Sequence, residues 1–284
     1  MIEVMRSGMY DSIQDLGRLN YRAYGVPYSG AMDQASMSLA NALLHNDLGE
    51  AVIEMTYAGP KLKFHKATII CVTGAQADML LNERHAPTNR PIEVESGAVL
   101  DIRRFQKGAR TYLAIEGGID APVIMDSRSQ YQHITERSQL RKGDVILFKD
   151  EQPARAWLSE AGSKIKPTDF SDECLKVFRG PEYELFPSKV TDQLFSQQFQ
   201  VNSASNRMAY QFEEVLPVHS KSILTSMVLP GTVQFLPSGQ LVVLMRDAQT
   251  TGGYPRVLQL SESAVNLLSQ KAPGRTVRFQ LSEL

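Results

Sequence analysis

The sequence has little of what announces most function classes. Only two cysteines, Cys71 and Cys174, occur in 284 residues. That excludes a disulfide framework and leaves each as a small core residue. Charge of one sign is equally scarce. Thirty Lys and Arg stand against 31 Asp and Glu, a formal net charge of -1, so the basic excess of a dedicated nucleic-acid binder is missing. A single Trp and scattered Tyr form no stacking platform for single strands. No apolar run approaches the roughly 18 residues that cross a bilayer. The first residues carry Glu3, Arg6, Asp11 and Asp15 rather than an apolar h-region, so the expectation is a cytoplasmic protein without a secretory signal. The histidines, at 45, 65, 85, 133 and 219, show no metal-ligand spacing, and neither dinucleotide nor phosphate-loop glycine patterns occur.

Helical periodicity is also sparse. Residues 33–44 form the best candidate, with Asp33 placed to cap the open N–H groups and Met37, Ala40, Leu43 and Leu44 on one face. A second runs over 261–270 behind Ser261, and a third over 188–198. The rest is strand: short apolar or alternating pieces at 61–64, 99–102, 111–115, 145–148, 232–235, 241–245 and 276–279, bounded by Gly, Asp or Lys. The expected fold is therefore mainly β, built from antiparallel sheets or barrels. Pro153, Gly162, Ser163 and Pro167 mark the segment near 150–168 as the boundary, giving domains 1–165 and 166–284 with room for segments that cross. A faint internal echo joins them: 99–118 and 232–253 each read as strand, glycine turn, strand and a Gly pair.

Chemistry concentrates in three polar stretches. The first contains Gln14, Asp15, Gly17 and Arg18, then Gly25-Val-Pro-Tyr-Ser-Gly-Ala-Met-Asp33. Its glycines and helix start suit an anion, against which Asp33 would be repulsive. The blander reading is a capped helix with Asp15 and Arg18 as a surface pair. The second, Ser205-Asn-Arg-Met208, offers amide and guanidinium groups, with Arg207 able to fork onto a carboxylate or phosphate, or to make an unimportant surface pair. The third follows a strand: Arg246, Asp247, Gln249, Thr250, Thr251, Gly252, Gly253, Tyr254 and Arg256. It reads as a pocket rim or a long hairpin loop. Ser127-Arg-Ser129 is an anion-friendly loop without an obvious base, and His219 reads as structural.

Taken in order, these motifs resemble the KipA or allophanate hydrolase subunit 2 family. Members include the C-type subunit of the prokaryotic ATP-dependent 5-oxoprolinase and the carboxyltransferase region of urea carboxylases. The resemblance rests on Ser12-Ile-Gln-Asp-Leu-Gly-Arg18, the 25–33 stretch, Leu39-Ala-Asn41, Ala51-Val-Ile-Glu-Met-Thr56, Tyr112-Leu-Ala-Ile-Glu-Gly-Gly118, Ser205-Asn-Arg-Met208, Gly231-Thr-Val-Gln234, Pro237-Ser-Gly-Gln240 and Thr250-Thr-Gly-Gly-Tyr-Pro255. It departs at Met125, Asp126, Gln130, Ala209 and Leu241. The resemblance implies two cyclophilin-like β-barrel domains, and a non-autonomous component of an enzyme that opens 5-oxoproline to glutamate with ATP and magnesium. Its implied partners are a KipI-like protein and a LamB/YcsF-like protein, the two other components of that enzyme. Alternatives are a KipA-like regulator of a KipI-like kinase inhibitor, or a carboxyltransferase component that would use biotin. The implied catalytic residues are Asp33, Arg207 and Asp247. The implied binding residues are Gln14, Asp15, Arg18, Ser29, Gly30, Asn41, Asn206, Met208, Thr250, Thr251, Gly252, Gly253, Tyr254 and Arg256, with no metal site.

Overall fold

A computed structural model describes residues 1–149 and 168–282, so the boundary segment read at 150–168 lies almost wholly outside the described residues. The chain divides into two compact units. Unit one comprises Met1–Gly17 and Asp33–Phe170, and unit two Arg18–Met32 and Ser171–Leu284. The fold is mainly β: among the described residues it has two curled, nearly closed sheets and three short α-helices.

Unit one contains β1 (Ile2–Arg6), β2 (Tyr10–Gln14), α1 (Gln34–Leu43), β3 (Val52–Thr56), β4 (Lys61–Phe64), β5 (Thr68–Leu81), β6 (Arg84–His85), β7 (Ile92–Val94), β8 (Val99–Ile115), β9 (Ile119–Asp120) and β10 (Val145–Phe148). The sheet runs β2-β3-β8-β4-β1-β10-β9, with β5 also on β8 and carrying β6 and β7. Period-two alternation puts Ile13, Ile53, Met55, Val72, Leu113 and Ile115 into one core. The Asp33 carboxylate caps α1 by accepting from the Ser36 N–H at 3.0 Å and the Ser36 hydroxyl at 2.6 Å.

The glycine turn expected at Lys107-Gly108 is absent, which corrects the proposed internal echo. Residues 99–115 form one continuous strand, paired with β5 through register shifts between Gly74 and Met79. Gly108 adopts a φ of 87°, which bends the strand without reversing it. Its counterpart in unit two, around Ser238-Gly239, is a true hairpin.

Unit two contains β11 (Cys174–Arg179), α2 (Ser188–Ser196), β12 (Phe199–Gln200), β13 (Ala209–Val215), β14 (Ser226–Met227), β15 (Thr232–Phe235), β16 (Gln240–Leu244), β17 (Thr251–Gly252), β18 (Arg256–Leu260), α3 (Glu262–Ser269) and β19 (Thr276–Leu281). Its sheet order is β12-β19-β11-β18-β15-β16-β13, and β14 and β17 form a separate two-stranded ribbon. The β11–β19 pair is parallel. Ser261 caps α3 by accepting from the Ala264 N–H. The core gathers Phe199, Phe212, Phe235, Phe279, Val233 and Leu258 around Met32 of the inserted 18–32 segment. Cys71 is buried and Cys174 half-buried, both as free thiols, and burial pushes the Cys71 thiol up to about 12.

One buried carboxylate opposes the fold near neutral pH. Burial pushes Asp11 up to about 6 from 3.8, against the Gly8 N–H and the Arg6 charge. The native state therefore holds this proton more tightly than the unfolded chain. Its favourable contribution is full below about pH 4 and lost as pH rises through about 6. Asp11→Asn is expected to remove that slope and to gain on the order of 2 kcal/mol near neutrality. Urea unfolding of both proteins across this window checks it, and parallel pH profiles would contradict it.

Candidate functional site

In unit one the sheet register assembles a buried polar row on the face away from the apolar core. Ser12 pairs with Glu54, Glu54 with Tyr112, and Tyr112 with Thr73. All four are buried, and α1 packs against β5 and β8. The Tyr112 hydroxyl accepts from the Asp33 N–H at 2.8 Å. The Thr73 hydroxyl donates to the Ser36 carbonyl at 2.6 Å. Arg110 Nε lies 3.8 Å from Glu54 Oε1. Burial, then the nearby Glu54 and Asp33 charges, raise Tyr112 well above the usual phenol range. The phenol therefore stays protonated and works as a neutral hydrogen-bonding group.

Gln14 and Asp15 sit beside this row. Gln14 Nε2 donates to Ser12 Oγ at 2.9 Å and the Gln130 carbonyl at 3.1 Å. The Asp15 carboxylate accepts from Ser127 Oγ at 2.6 Å, Ser129 Oγ at 2.5 Å, and the N–H groups of Arg128 at 2.6 Å and Gly17 at 2.8 Å. The anion held by the Ser-Arg-Ser loop is thus the chain's own Asp15. Asp15 and Arg18 are both buried, which corrects the reading of a surface pair. Asn41 ties the end of α1 to the next segment, donating to the Glu50 carbonyl at 2.8 Å and accepting from Asn46 at 3.1 Å.

In unit two, Arg207 forks onto Asp247, with Nε to Oδ2 at 2.8 Å and Nη2 to Oδ1 at 3.1 Å, and Nη2 also reaches the Gly30 carbonyl at 2.7 Å. Ser29, at a φ of 56°, donates its N–H to the Arg246 carbonyl, and Gly30 follows at a φ of 86°. Arg18 donates its N–H to the Tyr28 carbonyl at 2.7 Å. Asn206 Oδ1 accepts from the N–H groups of Met208 and Ala209, shaping the turn that delivers Arg207. The Met208 side chain is exposed, while its carbonyl accepts from Met245.

The Thr250–Tyr254 stretch belongs to a second hydrogen-bonded group. Arg22, stacked 4.5 Å over the Tyr28 ring, donates to the carbonyls of Val228 and Thr250. Thr251 and Gly252 pair with Met227 and Ser226. The Gly253 carbonyl accepts from Ile223, and Tyr254 is exposed. Arg256 forks onto Glu182 at 2.7 and 2.8 Å and donates to the Met227 carbonyl at 2.9 Å. That bond to Arg256 holds Glu182 below the usual carboxylate range.

Glu54, Arg110 and Tyr112 carry no role in the sequence reading. The signal was present: Glu54 interrupts an apolar strand, and only a buried partner makes a charge acceptable there. Among the described residues no group of three or more His, Cys, Asp or Glu stands together for a metal, and no helix is long and apolar enough to cross a membrane. The neutral phenol of unit one and, separately, the guanidinium groups and fixed backbone N–H groups of unit two are donors of the kind that suits an amide carbonyl or an oxyanion.

Comparison with known proteins gives these features a family. The family described as carboxyltransferase domain, subdomain A and B, matches residues 24–281. The chain is 32% identical to the C-type subunit of 5-oxoprolinase from Escherichia coli, over 98% of this chain and 90% of that protein. It is 30% identical to urea amidolyase of Lachancea kluyveri over 98% of this chain but 17% of that protein. The solved structure of K. lactis urea amidolyase superimposes with a TM-score of 0.87 at 28% identity, covering 98% of this chain and 18% of that one. The chain thus spans under a fifth of the urea amidolyases it matches.

Proposed function

Because the chain belongs to the carboxyltransferase-domain family, subdomains A and B, we propose that it is the C-type subunit of an ATP-dependent 5-oxoprolinase. It works with a KipI-like protein and a LamB/YcsF-like protein in the cytoplasm. The observation that carries this reading is the reciprocal coverage, 98% of this chain against 90% of its E. coli 5-oxoprolinase relative.

A five-membered lactam is a stable amide, and phosphorylation of its oxygen activates the ring carbon. ATP, with magnesium, is the phosphoryl donor in the assembled complex, and ADP leaves as the lactam oxygen is phosphorylated. Water then adds to the ring carbon. The carbon–nitrogen bond breaks with its electron pair going to nitrogen, which takes up a proton, and further water releases phosphate from the acyl phosphate. Phosphoryl transfer and acyl-phosphate hydrolysis both place negative charge on oxygen, so catalysis needs cationic and N–H groups held in place beforehand. In unit two Arg207 supplies the cation and Asp247 orients it. In unit one Asp33 fixes the start of α1 and turns its own N–H onto the neutral Tyr112 hydroxyl. Gln14, Asp15 and Asn41 shape the binding surface of unit one. Arg18, Ser29, Gly30, Asn206, Met208, the 250–254 segment and Arg256 shape that of unit two.

A second reading, carboxyl transfer with biotin carried by a separate protein, is favoured by the structural match to urea amidolyase. Omission experiments test the first. Glutamate release from 5-oxoproline and ATP is expected only when all three components are present. Release without this chain, or none from a verified complete complex, would contradict it and favour regulatory binding or carboxyl transfer.

A further inference from the structure

We propose that Gln234 is a substrate-binding residue that recognises the cis edge of a lactam through a pair of hydrogen bonds. The proposal rests on the amide-substrate reading above.

In β15, Val233 and Phe235 enter the core, so Thr232 and Gln234 point to the opposite face. Both are buried there. The Thr232 hydroxyl is satisfied, donating to Gln259 Oε1 at 2.8 Å and accepting from the Leu229 N–H at 3.0 Å. Gln234 is not: it is 2% exposed, and its buried Nε2 meets no acceptor among the described residues. A buried amide donor left unmet is costly and calls for an explanation.

What covers Gln234 is the β14–β17 ribbon. A Cβ built on Gly252 would come within 2.3 Å of Gln234 Nε2, so the ribbon rests on this amide only because position 252 has no side chain. The ribbon is separate from the seven-stranded sheet and consists of two residue pairs. It is held by Arg22 at the Val228 and Thr250 carbonyls and by Arg256 at the Met227 carbonyl. Below it lies the small cluster of Val228, Leu244 and Ala248. It can therefore lift as a flap without breaking the main sheet, and lifting bares the carboxamide between its cross-strand neighbours Val242 and Arg256.

A carboxamide carries an N–H donor and a carbonyl acceptor in one plane. A lactam ring holds its own N–H and C=O cis, on one edge, so the two groups pair by reciprocal hydrogen bonds. A trans peptide amide directs its N–H and C=O to opposite sides and offers no such edge. The same site therefore selects ring amides over chain amides.

The test uses the complete complex, wild type and Gln234→Met. Met has similar length and removes the unmet donor. Its expected effects are a higher melting temperature together with a rise of about tenfold or more in KM for 5-oxoproline, at unchanged KM for ATP. N-methyl-5-oxoproline, which lacks the lactam N–H, should be poor for wild type to the same degree. That arm needs no variant and stands even if Gln234→Met fails to fold. An unchanged KM, or equal use of the N-methyl analogue by wild type, overturns the proposal. If the wild-type complex releases no glutamate, the functional reading has failed by itself. Calorimetric titration of 5-oxoproline into wild type and variant then decides the site: binding lost in the variant supports it, and equal or absent binding overturns it.

Discussion

Asp15→Ala is expected to cost about 3–5 kcal/mol of stability, among the largest effects of any single substitution in this chain. The carboxylate accepts four hydrogen bonds, from Ser127 Oγ, Ser129 Oγ and the N–H groups of Arg128 and Gly17. Ser127 and Ser129 are buried, so truncation strands their hydroxyls and the Arg128 N–H in a site that cannot rehydrate without opening. Charged hydrogen bonds are worth more than neutral ones, so Asp15→Asn should fall between wild type and Ala. Urea unfolding measures the difference. A loss below about 1 kcal/mol for Asp15→Ala would show that the 127–129 loop holds itself.

Arg207→Met is expected to cost a comparable 3–5 kcal/mol, for a different reason. Asp247 is 7% exposed and Arg207 8%, so removing the guanidinium leaves a buried carboxylate without its counter-charge and the Gly30 carbonyl without its donor. Arg207→Lys keeps the charge but loses the fork, and should recover part of the loss. Removing both partners, Arg207→Met with Asp247→Leu, should cost less than Arg207→Met alone, because no isolated charge remains. A double-mutant cycle by chemical unfolding reports the coupling directly. Strict additivity would mean that Arg207 and Asp247 act independently.

The parts of the fold legible in the sequence were those governed by local rules. Asp33 and Ser261 are side chains whose oxygens reach an N–H three residues on, and both cap the helices expected behind them. Lys61–Phe64 alternates in character and is the strand expected. The Lys107-Gly108 turn failed because a glycine at positive φ serves a bend as readily as a reversal, and only the 14-residue partner β5 decides between them. The site was legible as a set of polar stretches but not as contacts. Nothing local shows that Ser127-Arg-Ser129 closes on Asp15, or that Arg207 spends its fork on Asp247. Glu54, Tyr112 and Thr73 are aligned only by register across three strands. Gln234 reads from sequence as an ordinary polar strand residue, and its unmet amide appears only once Gly252 lies over it.

The proposed function is lactam opening rather than carboxyl transfer. One measurement separates the two: the complete three-component complex and ATP are supplied with either 5-oxoproline, or urea and bicarbonate together with a biotinylated carrier and a biotin carboxylase that charges it, and products are followed by mass spectrometry. Glutamate, ADP and phosphate are expected from 5-oxoproline, and no carboxylated product from urea. Carboxylated urea formed only in the presence of this chain, with 5-oxoproline left intact, would contradict it.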